Sequence, residues 1–246
     1  MKTMNALTLK EIHKNNKGKA SDKWESYLDY YDELFLPFKN KKVSLMEIGV
    51  QNGGSLTTFS EYFSNFKDIL GCDINEKCKL LKYNNPKIKV VVGNVNTNET
   101  FNEIVKIIDS FDIIIDDGSH MSSDIIISFI RYFSLLSPGG IYVIEDIHTL
   151  YSSKYGGGLF NENSAMNFFR KLSDVVNYQF WNNKISLNDF FTTFFPSGVP
   201  SFINEGWIES IEFRNSIITI KKSLRSGHNK LGVRLKTGDE MQVFKL

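Results

Sequence analysis

The chain has 246 residues, of which 41% are hydrophobic and 13% aromatic, so it can bury one substantial core. Its 29 Lys and Arg residues almost balance its 28 Asp and Glu residues, and the net charge is +1. This charge gives no overall attraction to nucleic acid or to an anionic membrane. Composition therefore predicts a single domain, residues 1–246, with a small-molecule partner, and it leaves a homo-oligomer open.

The sequence also indicates a cellular location. The N-terminus lacks the apolar run of a signal peptide, and no later run approaches the roughly 18 residues of a membrane span. Cys72 and Cys78 have neither metal-knuckle spacing nor the pattern of a disulfide framework. We expect a cytoplasmic protein with two reduced thiols.

Residues 1–40 are predicted to form a helical cover over the core. The first 20 residues are rich in Lys and Asn, so we expect them to be loosely held. A helix should follow, because aromatic and aliphatic side chains recur there with helical spacing: Trp24, Tyr27, Tyr31 and Leu34.

Residues 41–222 alternate short β-like runs with amphipathic segments. The apolar runs suit parallel strands buried on both faces: VSLMEI, DILGCDI, IKVVVG, FDIIIDD and GIYVIED. Helices are expected between them and again at about 162–177 and 186–195, before an antiparallel hairpin of WIESIEF and SIITIKK. The pattern predicts a Rossmann-like α/β fold, with a seven-stranded, mostly parallel sheet and helices on both faces.

Two segments depart from this alternation. A Ser-, Tyr- and Gly-rich stretch after Asp146, ending in YGGG, is too long for a tight connector, and such loops are often functional. Residues 223–246 are a C-terminal extension, in which the tail from Gly227 to Leu246 is expected to add one or two edge strands.

The first candidate site is the turn in LMEIGVQNGGSL. Its glycines let a ligand approach the backbone, and the following helix N-terminus suits a carboxylate or phosphate. The alternative is an ordinary strand-to-helix turn, and Gln51 stands where a dinucleotide fingerprint requires its second glycine. The candidate cofactor-binding residues are Glu47, Gly49, Gly53, Gly54 and Ser55.

Asp73 ends the second strand, where a carboxylate can accept both hydroxyls of a ribose. An Asp at a strand end is equally common as a helix cap. The pairing with the glycine turn favours a nucleoside, but neither motif distinguishes NAD from S-adenosylmethionine.

Two acidic pairs end the fourth and fifth strands: Asp116 and Asp117, then Glu145 and Asp146. Converging carboxylates repel one another unless they are protonated or bridged by a cation, and oxygen ligands favour Mg²⁺, Mn²⁺ or Ca²⁺ over Zn²⁺. We assign Asp117, Glu145 and Asp146 to a metal site. The alternative for each acid alone is a helix cap that faces water.

His120 lies three residues after Asp117, close enough to take a proton from a metal-bound oxygen. The alternative is a surface or capping histidine. His148 lies past the second acidic pair and is left out of the catalytic set.

These segments together resemble the metal-dependent sugar O-methyltransferases of macrolide antibiotic pathways, such as mycinamicin and macrocin biosynthesis. The landmarks run in order over residues 18–222: SDKW, MEIGVQNGGSL, GCDI, FDIIIDDGSH, SPGGIYVIEDIHT and YGGG. The resemblance implies a class I methyltransferase fold, S-adenosylmethionine, a divalent ion on Asp117, Glu145 and Asp146, and His120 as the base. Catechol O-methyltransferase is similar in arrangement.

One departure concerns the nucleoside side. In VVVGNVNT this chain has Asn94 and Asn96 where relatives often have acidic residues. Asn94 and Asp116 complete the candidate cofactor-side set.

The sequence therefore predicts methyl transfer from S-adenosylmethionine, with Mg²⁺ or Mn²⁺, to a sugar hydroxyl. The acceptor could be a nucleotide-linked sugar, a surface glycan precursor or a glycosylated metabolite. Trp24, Tyr151 and Tyr155 are candidates to pack on it, because aromatic rings pack well against apolar faces. The alternatives are a metal-dependent hydrolase with the same acids and histidine, and a Rossmann-like binding protein without catalysis.

Overall fold

The computed structural model describes residues 7–182 and 185–240. Within them, seven strands form one sheet in the order β3-β2-β1-β4-β5-β7-β6. The strands are β1 (Ser44–Ile48), β2 (Asp68–Asp73), β3 (Ile88–Val92), β4 (Phe111–Asp116), β5 (Leu136–Ile144), β6 (Ile208–Arg214) and β7 (Ile217–Lys222). The first five pair in parallel, and β7 runs antiparallel to β5 and β6. The predicted Rossmann-like sheet with its C-terminal hairpin is confirmed.

Helices cover both faces of this sheet. They are α1 (Leu9–Asn15), α2 (Glu25–Phe35), α3 (Gly54–Tyr62), α4 (Asn98–Ile107), α5 (Ser122–Tyr132), α6 (Ala165–Val175), α7 (Leu187–Phe190) and α8 (Ser201–Asn204). Ile113 and Ile115 pack with α1, α2 and α3, whereas Ile114 packs with α4, α5 and α6. Successive side chains of a strand point to opposite faces, so a strand between two helical layers must be apolar throughout.

Three predicted elements differ in extent. The connection between β2 and β3 contains a 3-10 helix, Glu76–Leu80, in place of an α-helix. The helix expected at 186–195 ends at Phe190, because the chain then turns so that Phe191 and Phe195 pack on Phe168. β5 begins at Leu136, earlier than GIYVIED, across an irregularity in its pairing with β4.

The N-terminal prediction is wrong for residues 7–20. A capping box of Thr8 and Glu11 starts α1, and the side chains of Leu9 and Ile12 are buried. The Leu9 N–H also donates to the Asp32 carboxylate at 2.9 and 3.0 Å. The Lys and Asn residues lie on the outer side of a segment whose inner side packs on the core. Residues 1–6 of the predicted cover lie outside the described residues.

The C-terminal prediction is wrong over residues 227–240, which contain no strand. The Gly227 N–H donates to the Glu205 carbonyl at 2.6 Å, and Lys230 Nζ donates to the Ile208 carbonyl at 2.5 Å. Beyond this attachment the alternating apolar residues Leu231, Val233 and Leu235 are exposed, so nothing fixes them against the sheet. The rest of the predicted tail, 241–246, lies outside the described residues.

In the part of the chain that the structure describes, the helices are too short or too polar to cross a bilayer. Cys72 and Cys78 are both buried and unpaired by a disulfide, as predicted.

Leu9→Ala should lower the free energy of unfolding by about 2–5 kcal/mol, because it removes a fully buried side chain between α1 and the core. Urea unfolding measures the change. Leu7→Ala is the matched control, since Leu7 is 51% exposed and should cost less than about 0.5 kcal/mol. Equal effects of the two substitutions would show that α1 is not packed as described.

Candidate active site

A cavity of about 300 Å³ lies at the carboxyl ends of the parallel strands. Here the strand order reverses, since β1 leads to β2 and β3 on one side and lies beside β4 and β5 on the other. Ligands of open α/β sheets bind at such a crevice. Six of the predicted site residues line the cavity: Gly49, Asp73, Asn94, Asp116, Asp117 and His120.

Gly49 lies where two segments that line this cavity are in close contact. Its φ is +85°, and a Cβ built there would lie 2.0 Å from the Asp117 carbonyl oxygen. Only glycine tolerates both the conformation and the close approach. The turn after β1 therefore packs directly against the chain that follows β4.

The predicted anion site at the start of α3 is covered by the chain itself. The Gly54 N–H donates to the Ala20 carbonyl at 3.0 Å, and a Cβ at Gly54 would meet the Lys19 and Ala20 carbonyl oxygens. Tyr83 donates to the Gly53 carbonyl at 2.8 Å. Neither Gly53 nor Gly54 lines the cavity, because Tyr83 and Leu81 lie against Gly53 and residues 19–20 lie against Gly54.

Asp73 shapes the glycine turn from the end of β2. Its Oδ2 accepts the N–H groups of Val50 and Gln51 at 2.8 and 2.9 Å, and its Oδ1 accepts the Asn75 N–H at 2.8 Å. Asp73 thus accepts backbone N–H groups, as the capping alternative predicted, and Asp73 also lines the cavity. Each carboxylate oxygen can accept more than one hydrogen bond, so a ligand hydroxyl can still be bound.

Glu47 and Ser55 lie behind the cavity wall. Both side chains are buried, and the Ser55 hydroxyl donates to Glu47 Oε2. Burial raises the pKa of Glu47 to about 7, although Lys23 and Ser55 favour its charged form. These two predicted cofactor-binding residues therefore form a hydrogen bond with each other.

Lys23 lies among three carboxylates, one in β1 and one directly after each of the neighbouring strands β4 and β5. Its Nζ is 2.5 Å from Asp117 Oδ2, 2.8 and 2.9 Å from the Glu145 oxygens and 3.4 Å from Glu47 Oε1. Tyr31 donates to Glu145 Oε1 at 2.6 Å. Glu47, Asp117, Glu145 and Lys23 are called the inner cluster below.

Charge compensation explains the inner cluster. Burial lowers the pKa of Lys23, but the three carboxylates outweigh it and hold this pKa well above its ordinary value. Burial raises the pKa of Glu145, against the opposing effect of Lys23. The sequence predicted that acids converge at this edge, and the ammonium of Lys23 lies between the carboxylates.

Asp116 is also buried and faces the other side of the sheet. Its carboxylate accepts hydrogen bonds from Ser128, from Tyr142 at 3.2 Å and from the Gly118 N–H at 3.3 Å. Burial raises its pKa to about 6. Asp116 thus lines the cavity with its hydrogen-bonding capacity largely used by the protein.

A second group of three, the outer cluster, comprises Asp117, His120 and Asp146. One ligand atom from each lies within 4.8 Å of the others. His120 Nε2 is 3.9 Å from Asp117 Oδ1 and 3.8 Å from Asp146 Oδ2, beyond hydrogen-bonding distance. His120 and Asp146 also have positive φ values of 57° and 55°. Backbone held in this region by non-glycine residues is frequent at functional sites.

Asp146 is fixed by a hydrogen bond from a tyrosine of α2. Tyr27 donates to its Oδ1 at 2.6 Å, and Tyr27 also contacts Ser216 Oγ at 2.8 Å. His148 Nδ1 is 2.6 Å from the same Ser216 hydroxyl and 3.9 Å from Asp146 Oδ1. His148 therefore lies behind Asp146 and not in the outer cluster.

The outer cluster fits a hard divalent cation. Two carboxylates provide the oxygen ligands that Mg²⁺ and Mn²⁺ prefer, and one imidazole is compatible with Mn²⁺. Glu145, the third predicted ligand, has both carboxylate oxygens on Lys23.

The remaining predicted residues are Asn94, which lines the cavity, and the three aromatic acceptor-side candidates. Asn94 accepts the Asn96 N–H at 2.9 Å, which fixes the turn after β3. Trp24 is 62% and Tyr151 49% exposed, and Tyr155 ends a 3-10 helix in the loop after β5. Gly156 of this loop packs against Ser122, close in sequence to His120.

Sequence reasoning missed Lys23, Tyr27 and Tyr31 as contacts of the acids. A signal was present, because the acids required a cation and SDKW lay in the predicted cover. The two tyrosines were placed on the correct helix but were assigned only to packing.

No family model matches the chain. It is 28% identical over 219 residues to the 8-demethyl-8-alpha-L-rhamnosyl tetracenomycin-C 2'-O-methyltransferase of Streptomyces olivaceus, covering 85% of this chain and 54% of that protein. It is 35% identical over 145 residues to the demethylmacrocin O-methyltransferase of Streptomyces fradiae, covering 55% and 36%. The chain thus spans about half the length or less of these curated relatives.

Solved structures agree with this similarity. The MycE methyltransferase of the mycinamycin biosynthetic pathway, in complex with Mg and SAH, superposes with a TM-score of 0.72 at 25% identity, covering 88% of this chain and 55% of that one. The fold is the Rossmann-like fold of class I methyltransferases. Within that class, the chain resembles the sugar O-methyltransferases, as the motifs predicted.

Proposed function

We propose that the chain is an S-adenosylmethionine-dependent O-methyltransferase that requires Mg²⁺ or Mn²⁺ and methylates a sugar hydroxyl. The observation that carries the proposal is that Asp73 and the glycine turn line the same cavity as Asp117 and His120. A nucleoside cofactor and a cation-bound acceptor would therefore meet in one space. A hydrolase would leave the Gly49 and Asp73 side of this cavity without a role.

On the cofactor side, Asp73 would accept the ribose hydroxyls while it holds the turn. Gly49 gives access to the backbone next to it, and Asn94 and Asp116, which line the same cavity, would border the base. Glu47 and Ser55 support the turn from behind. SAH is the molecule bound to MycE, the solved structure of similar fold.

On the acceptor side, Asp117 and Asp146 would hold the cation, and Glu145 stays a predicted third ligand. The cation would supply Lewis acidity that lowers the pKa of the acceptor hydroxyl. His120 would take the hydroxyl proton as the acceptor oxygen bonds to the methyl carbon. The carbon–sulfur bond breaks in the same displacement, and its electron pair stays on sulfur. The chain needs no covalent intermediate.

The acceptor is proposed to be a sugar on a nucleotide, on a glycan precursor or on a glycosylated metabolite. The similar Streptomyces olivaceus protein is named as a 2'-O-methyltransferase of a rhamnosyl tetracenomycin, which is a glycosylated small molecule. Trp24, Tyr151 and Tyr155 would contact the sugar. The net charge gives no reason to invoke nucleic acid or a membrane surface.

Incubation with labelled S-adenosylmethionine and a panel of nucleotide sugars and glycosides tests the function. We expect label transfer to a sugar, its loss on exhaustive chelation and its return with Mg²⁺ or Mn²⁺, because the outer cluster provides oxygen ligands for such an ion. Full transfer by protein shown to be metal-free by elemental analysis would contradict the cation requirement.

Asp73→Asn should weaken the binding of S-adenosylhomocysteine by about tenfold, since a charged acceptor of hydrogen bonds is lost at the ribose. Asp73→Ala should weaken it further, because the Val50 and Gln51 N–H groups also lose their acceptor. Isothermal calorimetry measures both. Asp68→Asn, at the opposite end of β2, should bind as the wild type does. Unchanged affinity in a folded Asp73 variant would remove Asp73 from the ribose site.

His120→Gln should lower kcat by about 10² to 10⁴, the usual contribution of a general base. S-adenosylhomocysteine affinity should change little, because the loss is in the chemical step. His148→Gln is the matched control, since His148 lies outside the outer cluster. An unaltered kcat in His120→Gln would leave Asp117 as the first candidate for the base.

A further inference from the structure

Lys23 has no place in the proposed chemistry, yet its side chain is only 5% exposed and contacts acids from three strands. An isolated ammonium is rarely buried, because removing it from water costs several kcal/mol. Its position therefore needs an explanation in terms of what it holds.

The contacts of Lys23 are divided unequally between carboxylate oxygens. Lys23 Nζ donates to Oδ2 of Asp117, while Oδ1 of Asp117 lies on the side of His120, 3.9 Å from Nε2. Lys23 Nζ also donates to both carboxylate oxygens of Glu145, and the Tyr31 hydroxyl donates a third hydrogen bond to the same carboxylate. Asp117 is the one residue shared by the inner and outer clusters.

Anchoring of the N-terminal segment does not account for Lys23. Residues 9–31 are attached to the core by other contacts. The Ala20 carbonyl accepts the Gly54 N–H, the Leu9 side chain is buried, and the Tyr27 hydroxyl donates to Asp146. Without the ammonium, the acids of the inner cluster would repel one another. Among the described residues, Lys23 is the hydrogen-bond donor to Asp117 Oδ2, so its loss would also leave the direction of Oδ1 unfixed.

We propose that Lys23 is a positioning residue of the cation site: by holding Oδ2 of Asp117 and the carboxylate of Glu145, it presents Asp117 Oδ1 to the divalent ion and the acceptor oxygen. The inference rests on the proposed function, because it assigns Lys23 to the same cation site. It goes beyond that function by making the N-terminal segment part of the site.

The test uses the whole chain and Mn²⁺ as the probe. Lys23→Met keeps the length and apolar stem of the side chain and removes the charge. Partners that orient a metal ligand typically contribute about 10- to 100-fold to metal affinity, so the Mn²⁺ dissociation constant should rise by that factor. Electron paramagnetic resonance of free Mn²⁺ measures it, at a temperature where thermal melts show each variant folded.

Two comparisons separate positioning from a structural role. Lys19→Met removes a charge from the same segment, where Lys19 lies over the Tyr83 ring, and should bind Mn²⁺ as the wild type does. Lys23→Cys treated with 2-bromoethylamine restores an ammonium at nearly the original length and should recover Mn²⁺ affinity. Wild-type protein treated in parallel controls for Cys72 and Cys78, which are buried.

The outcomes are distinct. Weaker Mn²⁺ binding in Lys23→Met, with recovery after alkylation of Lys23→Cys, supports the proposal. Unchanged Mn²⁺ affinity, or a lower melting temperature alone, overturns it and leaves a structural ion pair. Tighter Mn²⁺ binding also overturns it, since Lys23 would then compete with the ion. If the wild type binds neither Mn²⁺ nor S-adenosylhomocysteine, the proposed function itself fails.

Discussion

Parallel strands that end in acids bring negative charge to one edge of a sheet, and the structure depends on how that charge is compensated. β1, β4 and β5 are neighbours, so Glu47, Asp117 and Glu145 converge however the loops are arranged. Lys23 compensates the inner side of this convergence. On the outer side, the ligand atoms of Asp117, His120 and Asp146 lie within 4.8 Å of one another, and Asp117 and His120 line the cavity.

This compensation explains why the N-terminal segment belongs to the core of the molecule. α2 supplies Tyr27 to Asp146 and Tyr31 to Glu145, and the segment before it supplies Lys23. The residues that precede the sheet in sequence thus complete the edge where the sheet ends. A cover that only excluded water would not need hydrogen bonds to these particular acids.

The sheet could be predicted from sequence because each strand is a short apolar run between helical patterns, and the hairpin because two such runs flank a turn. The ends of the chain could not, since α1 is short and polar outside, and the alternating apolar residues Leu231, Val233 and Leu235 are exposed, with no strand among residues 227–240. In the site, strand-end acids were predictable from topology. The partners of Asp73, Glu47 and Glu145 were not, because they come from loops whose course periodicity does not specify.

The glycine at position 49 has a consequence for altering this protein. Its Cα lies against the Asp117 carbonyl with no room for a methyl group. The turn after β1 and the segment after β4, which both line the cavity, are therefore in direct backbone contact at this point. A substitution that displaces one of these segments should displace the other through this contact, so the two sides of the cavity cannot be redesigned independently near Gly49.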